Sequence, residues 1–180
     1  MHNDIKEVLF TEKQINDRVE EMGKQISRDY EGKELLLIGI LKGSVPFMAD
    51  LLKKISIHCN MDFMAVSSYG DSTETSGVVR ILKDLDHEIK GKEVLIIEDI
   101  IDSGYTLKYL VNYLKSRNPN SVEIACLLDK PDRREANTEV KYLGFKVPNY
   151  FLVGYGLDYA ERYRNLPYVG VLKEEIYVNK

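Results

Sequence analysis

The sequence predicts an α/β fold in which helices flank a mostly parallel sheet. Strand-like and helix-like segments alternate along the chain, an order that implies parallel strands joined by right-handed crossovers. The first long apolar run, ELLLIGI at 34–40, is continuous rather than alternating, as in strands that are covered on both faces. At 180 residues the chain has the length of one domain with a full core. We therefore expect a single α/β domain over residues 1–180.

A capping box predicts the first helix. In the segment TEKQ, Thr11 is the expected N-cap and Gln14 follows three residues later. One apolar face continues at helical spacing, formed by Ile15, Val19, Met22 and Ile26. We expect this helix to end near Gly32.

The following elements repeat the order of strand, loop and helix. After the strand at 34–40, GSVPFMADLLKKI is predicted to be a helix with Ser44 as its N-cap and Pro46 in its first turn. A third helix is predicted after Gly104, where an apolar stripe is formed by Leu107, Leu110, Val111 and Leu114. Further strands are predicted at 62–69, 93–97 and 121–129.

Two segments do not follow this alternation. Residues 150–172 contain strand-like and turn-like pieces without a long helical stripe, so we expect a small hood over the sheet, formed by about 145–180 with part of the N-terminus. The segment GDSTETSGVVR at 70–80 has almost no apolar residues. By itself it suits a plain surface loop as well as a mobile lid that excludes water from a reacting centre.

Composition and charge exclude several classes of protein. The chain is 44% hydrophobic and 30% charged, and its net charge of -4 argues against a protein that coats nucleic acid. Cys59 and Cys126 match no metal-ligand spacing and are expected to be reduced thiols. The N-terminus lacks the apolar segment of a signal peptide, and no run approaches the roughly 20 apolar residues of a membrane span. We expect a cytoplasmic protein with no membrane or nucleic-acid partner.

Polar residues stand at the carboxyl ends of four predicted strands. They are Lys42 and Gly43, Ser68 and Tyr69, Glu98 and Asp99, and Asp129 and Lys130. In open α/β sheets, ligands bind beyond these strand ends. One such end alone would be an ordinary solvated terminus, but four together predict the functional site at this edge.

The segment VLIIEDIIDSGYTL at 94–107 carries the most specific pattern. Its acidic residues repel one another and are costly to desolvate, so a ligand is expected to offset that cost. Within DSGYT, a glycine, two hydroxyls and the start of a helix suit a phosphate monoester. Glu98 and Asp99 suit ribose hydroxyls or Mg2+. Neither the Walker pattern nor GxGxxG is present, which disfavours a nucleoside triphosphatase or a dinucleotide dehydrogenase.

This segment resembles the signature of type I phosphoribosyltransferases, which bind phosphoribosyl pyrophosphate. Other segments are similar to the hypoxanthine-guanine members of that family: LKGS at 41–44, SSYG at 67–70, LLDKP at 127–131 and VGYGLDYAERYRNLPYVGVL at 153–172. The resemblance spans nearly the whole chain. Ser44 and Tyr105 depart from some relatives, which have a second glycine and a lysine or another residue there.

On the sugar side, the resemblance implies three groups of contacts. Glu98 and Asp99 would hold the ribose hydroxyls together with Mg2+. The 5'-phosphate would be bound by Asp102, Ser103, Gly104, Tyr105 and Thr106. Pyrophosphate would be bound by Lys42, Gly43 and Arg164, with a non-proline cis peptide bond between Leu41 and Lys42. The lid would lie at about 68–80 and include Ser68 and Tyr69.

On the purine side, the resemblance implies that Asp102 also serves as general base or proton partner near N7. Lys130 would donate to O6, Phe151 would stack on the ring, the backbone at Leu152 would read the base edge, and Asp158 would coordinate a second Mg2+. Each side chain has an ordinary alternative role as well. Lys130 could be a surface lysine, Phe151 a core aromatic, Asp158 a turn cap and Arg164 a partner of Glu161.

The implied function is purine salvage. The enzyme would transfer the 5-phosphoribosyl group from phosphoribosyl pyrophosphate to N9 of hypoxanthine or guanine, as a homodimer or homotetramer. A regulatory module that binds nucleotide without catalysis would need a basic face or an added domain, and the sequence has neither. The other alternative is a phosphoribosyltransferase that acts on a different base. Lys130 opposes adenine because an ammonium cannot accept from a 6-amino group, whereas xanthine stays open.

Overall fold

The computed structural model describes residues 1–68 and 79–178. Its strands and helices are, in chain order, β1 (Ile5–Phe10), α1 (Glu12–Asp29), β2 (Leu35–Leu41), α2 (Val45–Lys54), β3 (Cys59–Ser68), β4 (Val79–Lys83), β5 (Glu93–Ile101), α3 (Tyr105–Lys115), β6 (Ser121–Asp129), β7 (Tyr142–Lys146), β8 (Leu152–Val153), β9 (Val169–Leu172) and α4 (Glu174–Tyr177). Short 3-10 turns lie at His2–Asp4 and Pro131–Arg133.

Six strands form the main sheet, in the order β4-β3-β2-β5-β6-β7. All neighbouring strands are parallel except β3 and β4. Leu41 of β2 lies opposite Ala65 of β3, and Ile101 of β5 lies opposite Asp129 of β6. The carboxyl ends of the central strands therefore meet at one edge, and the predicted α/β class is confirmed.

The central strand β2 explains why its sequence is apolar without alternation. Leu35 and Leu37 belong to the core between the sheet and helices α1 and α2. Leu36 and Ile38 point the other way, into the core beneath α3. Successive side chains of a strand alternate between faces, so a strand covered on both faces requires apolar residues at every position.

The predicted capping box of α1 is confirmed, and so are the N-cap position of Ser44 and the first-turn position of Pro46 in α2. Thr11 Oγ1 accepts from the Gln14 amide at 3.3 Å, and the Gln14 side chain accepts from the Thr11 amide at 2.9 Å, which completes the capping box. Ser44 precedes α2 but does not cap it with its side chain. Its buried hydroxyl instead donates to the Ile40 carbonyl at 2.6 Å, because the end of β2 lies within reach.

A second sheet joins the two ends of the chain. Its antiparallel order is β1-β9-β8, with Phe10 opposite Val169 and Leu152 opposite Val171. Strand β1 was not predicted from the sequence, since it is short and charged and its pairing partner lies more than 150 residues away. Strands β4 and β7 were not predicted either. The residues of this small sheet fall within the segments that the sequence assigns to a hood.

Both cysteines are free thiols, as expected. Burial raises the pKa of Cys59 and, more strongly, that of Cys126, so both thiols hold their protons tightly. No helix in the described part of the chain is long and apolar enough to cross a membrane.

Candidate active site

Glu98 and Asp99 lie inside β5 rather than after it, because the strand extends to Ile101 and not to residue 97 as predicted. The Asp99 amide donates to Glu98 Oε1 at 3.3 Å, and Asp99 Oδ1 accepts from the Ile100 amide at 2.7 Å. Burial raises the pKa of Glu98 well above its usual range, and the neighbouring Asp99 charge adds to this effect. Burial also raises the pKa of Asp99. A cation or hydroxyl donors at this position would favour the charged forms.

A glycine is required where the end of β2 meets this acidic pair. A Cβ atom built on Gly43 would overlap Asp99 Oδ2. Gly156, with φ of 100°, approaches the Gly43 carbonyl so closely that a Cβ atom there would overlap it as well. The peptide bond between Leu41 and Lys42 is cis, as the family resemblance implies. Three distant segments of the chain thus meet at Gly43.

The segment at 102–106 borders a cavity of about 220 Å³. Gly104 has a φ of 86°, a backbone conformation that favours glycine, and it is the N-cap of α3. The first amides of a helix have no carbonyl partner within it, so they are available to an anion. The cavity is lined by Glu98, Asp102, Ser103, Gly104 and Thr106, whereas the Tyr105 side chain is exposed.

Residues 131–138, which we call the buttress loop, support this segment from behind. The Ser103 carbonyl accepts from the amides of Glu135 and Ala136, at 3.0 and 2.9 Å. The Thr138 hydroxyl donates to the Gly104 carbonyl at 3.4 Å. The sequence analysis did not identify this loop, since most of these contacts are made between backbone groups, which carry no residue-type signal.

A second cavity, of about 300 Å³, brings together the side chains predicted for the purine. It is lined by Asp102, Lys130, Phe151, Leu152 and Asp158, with Ile100 and Leu157. These residues come from four separate segments of the chain. Asp102 and Ile100 also border the 220 Å³ cavity, so the two cavities adjoin at these two residues.

Two basic side chains flank Asp102. Arg133 Nε donates to Asp102 Oδ1 at 2.8 Å, while Lys130 Nζ lies 3.8 Å from Oδ2. Burial lowers the pKa of Lys130, and the charge of Asp102 partly opposes this shift. Lys130 is therefore largely buried at the cavity and not a free surface lysine. The sequence analysis did not single out Arg133.

Phe151 belongs to the hydrophobic cluster of the small sheet as well as to the cavity. Its ring stacks on Tyr177 of α4, with centroids 4.7 Å apart, and meets the edge of Tyr159 at 5.5 Å. Phe151 is therefore both a core aromatic and a residue that lines the cavity. Packing against two aromatic rings fixes the orientation of Phe151.

Arg164 and Asp158 have the ordinary partners that the sequence analysis considered. Asp158 accepts from the Glu161 amide at 2.9 Å and pairs with Arg164 at 2.9 Å. Arg164 also donates to Glu161 at 3.2 Å and to the Gly156 carbonyl at 2.8 Å. Its buried Nε atom has no hydrogen-bond partner in the described part of the chain. Glu161, which the sequence analysis had considered only as a partner of Arg164, also holds Lys42 at 3.0 Å.

Part of the predicted lid falls outside the described residues. Tyr69 and the rest of 69–78 lie there, and so does the side chain of Ser68. Residues 79–80, which the sequence assigned to the lid, begin strand β4, where Val79 pairs with Ser68. Strand β4 therefore begins within the segment predicted as the lid, and the lid itself stays a prediction.

The acidic pair fits a magnesium ion that a substrate helps to hold. Among the described residues, no three histidine, cysteine, aspartate or glutamate side chains come together in a way that could hold a metal. Mg2+ is commonly bound by one or two carboxylates together with substrate phosphate oxygens and water. Glu98 and Asp99 provide such a carboxylate pair. Asp158 already pairs with Arg164, so a metal there would share or displace that partner.

Comparisons with known proteins agree with this geometry. Residues 7–160 match the phosphoribosyl transferase domain family. A hypoxanthine-guanine phosphoribosyltransferase of Staphylococcus aureus is 57% identical over 179 residues, which cover 99% of this chain and 100% of that protein. The bifunctional protein TilS/HprT of Listeria monocytogenes is 55% identical over 177 residues, 98% of this chain, and the chain spans 27% of that longer protein.

A solved structure gives the same result. The crystal structure of a hypoxanthine phosphoribosyltransferase from Staphylococcus aureus has a TM-score of 0.96 and 57% sequence identity, and the match covers 98% of this chain and 96% of that one. Together with the signature at 94–107 and the two adjoining cavities, these matches show that the chain belongs to the hypoxanthine-guanine branch of the phosphoribosyltransferase family.

Proposed function

We propose that this chain is a purine salvage enzyme. It transfers the 5-phosphoribosyl group from phosphoribosyl pyrophosphate to N9 of hypoxanthine or guanine, giving IMP or GMP and pyrophosphate. The observation that carries this proposal is the position of Asp102, which borders both cavities. A purine in the 300 Å³ cavity and a sugar phosphate in the 220 Å³ cavity would meet beside its carboxylate.

The sugar side binds and orients the donor. Glu98 and Asp99 hold the ribose hydroxyls, and the amides of 102–106 hold the 5'-phosphate, Tyr105 through its backbone. Lys42, Gly43 and Arg164 hold the pyrophosphate, which leaves as the bond from its oxygen to the anomeric carbon breaks. This assignment is supported by Glu161, which pairs with both Lys42 and Arg164. Cations placed before the reaction stabilise the charge that develops on the leaving group.

The purine side supplies proton transfer and recognition. Asp102 accepts a proton at N7 while N9 forms the new bond to the anomeric carbon. Lys130 donates to O6, Phe151 stacks on the ring, and the backbone at Leu152 reads the base edge. Asp158 lies at the same cavity and, held by Arg164, links it to the pyrophosphate side.

Mg2+ is the metal we propose for the site. When bound, it supplies charge neutralisation at the pyrophosphate and the ribose hydroxyls. Glu98 and Asp99 would hold it, and their raised pKa values support this role because a neighbouring cation offsets the cost of ionising both. Asp158 would serve a second ion.

We also propose that the chain acts as one phosphoribosyltransferase domain, with the small sheet as its hood. The protein is proposed to work in the cytoplasm as a homodimer or homotetramer. Exposed apolar side chains on the neighbouring strands β3 and β4, Met61 and Leu82, support an assembly that covers them. Light scattering of the purified protein tests the assembly directly.

The function is tested by offering four bases with phosphoribosyl pyrophosphate and Mg2+. Hypoxanthine and guanine should be converted to nucleotides, and adenine should not, since Lys130 cannot accept from its 6-amino group. Xanthine, which also carries an oxygen at position 6, is the informative intermediate case. Transfer to adenine alone, or to no purine, would contradict the proposal.

A further inference from the structure

Asp102 has two carboxylate oxygens with different surroundings. Oδ1 accepts from Arg133 Nε at 2.8 Å, which is a good hydrogen-bond distance. Oδ2 lies 3.8 Å from Lys130 Nζ, too far for a hydrogen bond. Lys130 and Asp102 line the purine cavity, whereas Arg133 does not. One oxygen is therefore engaged from outside the cavity, and the other is left for a ligand inside it.

Arg133 stands where it does because the buttress loop is anchored at several points. The Arg133 amide donates to the Lys130 carbonyl at 3.0 Å, which closes the short turn at Pro131–Arg133. The next residue, Arg134, donates to Asp129 Oδ1 at 2.8 Å and to the Thr138 carbonyl at 2.8 Å. Asp129 is buried, at 7% exposure, so this second pair holds the loop firmly against the end of β6.

The two consecutive arginines thus have separate targets. Arg134 fixes the backbone of the loop, and Arg133 reaches from that backbone to the acid that borders both cavities. A carboxylate on a short side chain rotates about two torsions, and a hydrogen bond to one oxygen removes that freedom. Proton transfer depends strongly on such alignment.

We propose that Arg133 is a positioning residue for the transfer reaction: it fixes Asp102 Oδ1 so that Oδ2 faces N7 of the bound purine. This role rests on the proposed function. The Arg133 and Asp102 side chains are 53% and 46% exposed, and exposed ion pairs contribute little to folding. Removal of Arg133 should therefore change turnover without unfolding the protein.

The test compares Arg133→Ala and Arg133→Lys with the wild type. Arg133→Ala should lower kcat for hypoxanthine about tenfold, with KM for phosphoribosyl pyrophosphate within about threefold. Arg133→Lys should restore part of the loss, because an ammonium at this position still donates to Oδ1. Guanidinium ion added to Arg133→Ala should also raise kcat. A purely structural role would respond to neither form of rescue.

The matched control is Arg28→Ala, which removes an exposed arginine on α1, far along the chain from the site. It should leave kcat and both KM values unchanged. If the wild type is active and Arg133→Ala turns over at the wild-type rate or faster, the positioning role alone is overturned. Equal losses in Arg133→Ala and Arg133→Lys, with no rescue by guanidinium, would overturn it too. A wild type that transfers to no purine would overturn the role together with the proposed function.

Discussion

The phosphate segment and the purine cavity are neighbours that share Asp102, yet they are built differently. The phosphate segment is one continuous stretch, 102–106, and backbone bonds from the buttress loop hold it in place. The purine cavity is assembled from side chains on four separate segments. A site made of backbone tolerates many side chains but needs its glycines, whereas a site made of side chains depends on each one. Substitutions can test this difference directly.

Asp102→Asn should have the largest effect, because this residue borders both cavities. Turnover should fall by about 10²–10⁴, since a positioned proton acceptor is lost. Affinity for phosphoribosyl pyrophosphate should stay within a few-fold, because the backbone amides remain. Steady-state kinetics and calorimetry measure the two quantities. The control is Asp132→Asn, an exposed acid in the adjacent turn, and near-normal turnover in Asp102→Asn would refute the proton role.

Gly43→Ala tests the requirement for glycine on the sugar side. The new methyl group would overlap Asp99 Oδ2, so either the 41–44 segment or the carboxylate must move. We expect about a hundredfold loss of affinity for phosphoribosyl pyrophosphate, with a smaller change for the purine. Gly32→Ala is the control: Gly32 has a φ of 74° but open space around its Cβ position, so that variant should lose stability and keep affinity. Equal affinity losses in both variants would contradict this account.

Lys130→Ala tests the purine side alone. The unpaired O6 of a buried base should cost ~1–3 kcal/mol in purine binding, with little change in binding of the sugar substrate. Lys90→Ala removes an exposed lysine away from the cavities and should change neither. If calorimetry shows equal losses for both ligands, Lys130 does not read the base.

Glu98→Gln should give the smallest effect, a gain in stability that depends on pH. The pKa of Glu98 is raised above its ordinary value of 4.5, so its charged form destabilises the folded protein above that raised pKa. Below 4.5 the carboxyl is protonated whether the chain is folded or not, and the cost disappears. In metal-free buffer, the Tm of Glu98→Gln should exceed that of the wild type by a few degrees at pH 8, about the shift that 1 kcal/mol produces.

That difference in Tm should shrink as the pH falls towards 5, and adding Mg2+ with phosphoribosyl pyrophosphate should reverse it by stabilising the wild type more strongly. The control is Glu88→Gln, at an exposed acid outside the site, which should show no comparable gain. A Tm difference that stays constant with pH would mean that the Glu98 charge is not the cause.

The same contrast explains which sequence predictions succeeded. The capping box at Thr11 and the phosphate signature are local, because each depends on residues a few positions apart. Ser44 stands at the predicted N-cap position, but its hydroxyl donates to the Ile40 carbonyl instead of capping the helix, a choice that depends on how the strand and the helix meet. Strand β1 was missed because its pairing partner is β9, at the other end of the chain.

Three side chains show what tertiary packing added. Arg133 binds Asp102, Glu161 holds both Lys42 and Arg164, and Tyr177 stacks on Phe151. Most of these pairs join residues that lie far apart in sequence, and the spacing within a motif cannot predict such pairings. A charged or aromatic residue of this kind is indistinguishable in sequence from one on an ordinary surface.

By itself the sequence determined the fold class, the signature segment and the family, because these depend on local periodicity and on residue types at fixed spacing. The tertiary structure decided how the carboxyl ends of the strands, the buttress loop and the small sheet meet around Asp102. The physical reason is one of range. Backbone propensity and caps act over a few residues, whereas burial, close glycine contacts and charge pairing are set only when distant segments pack together.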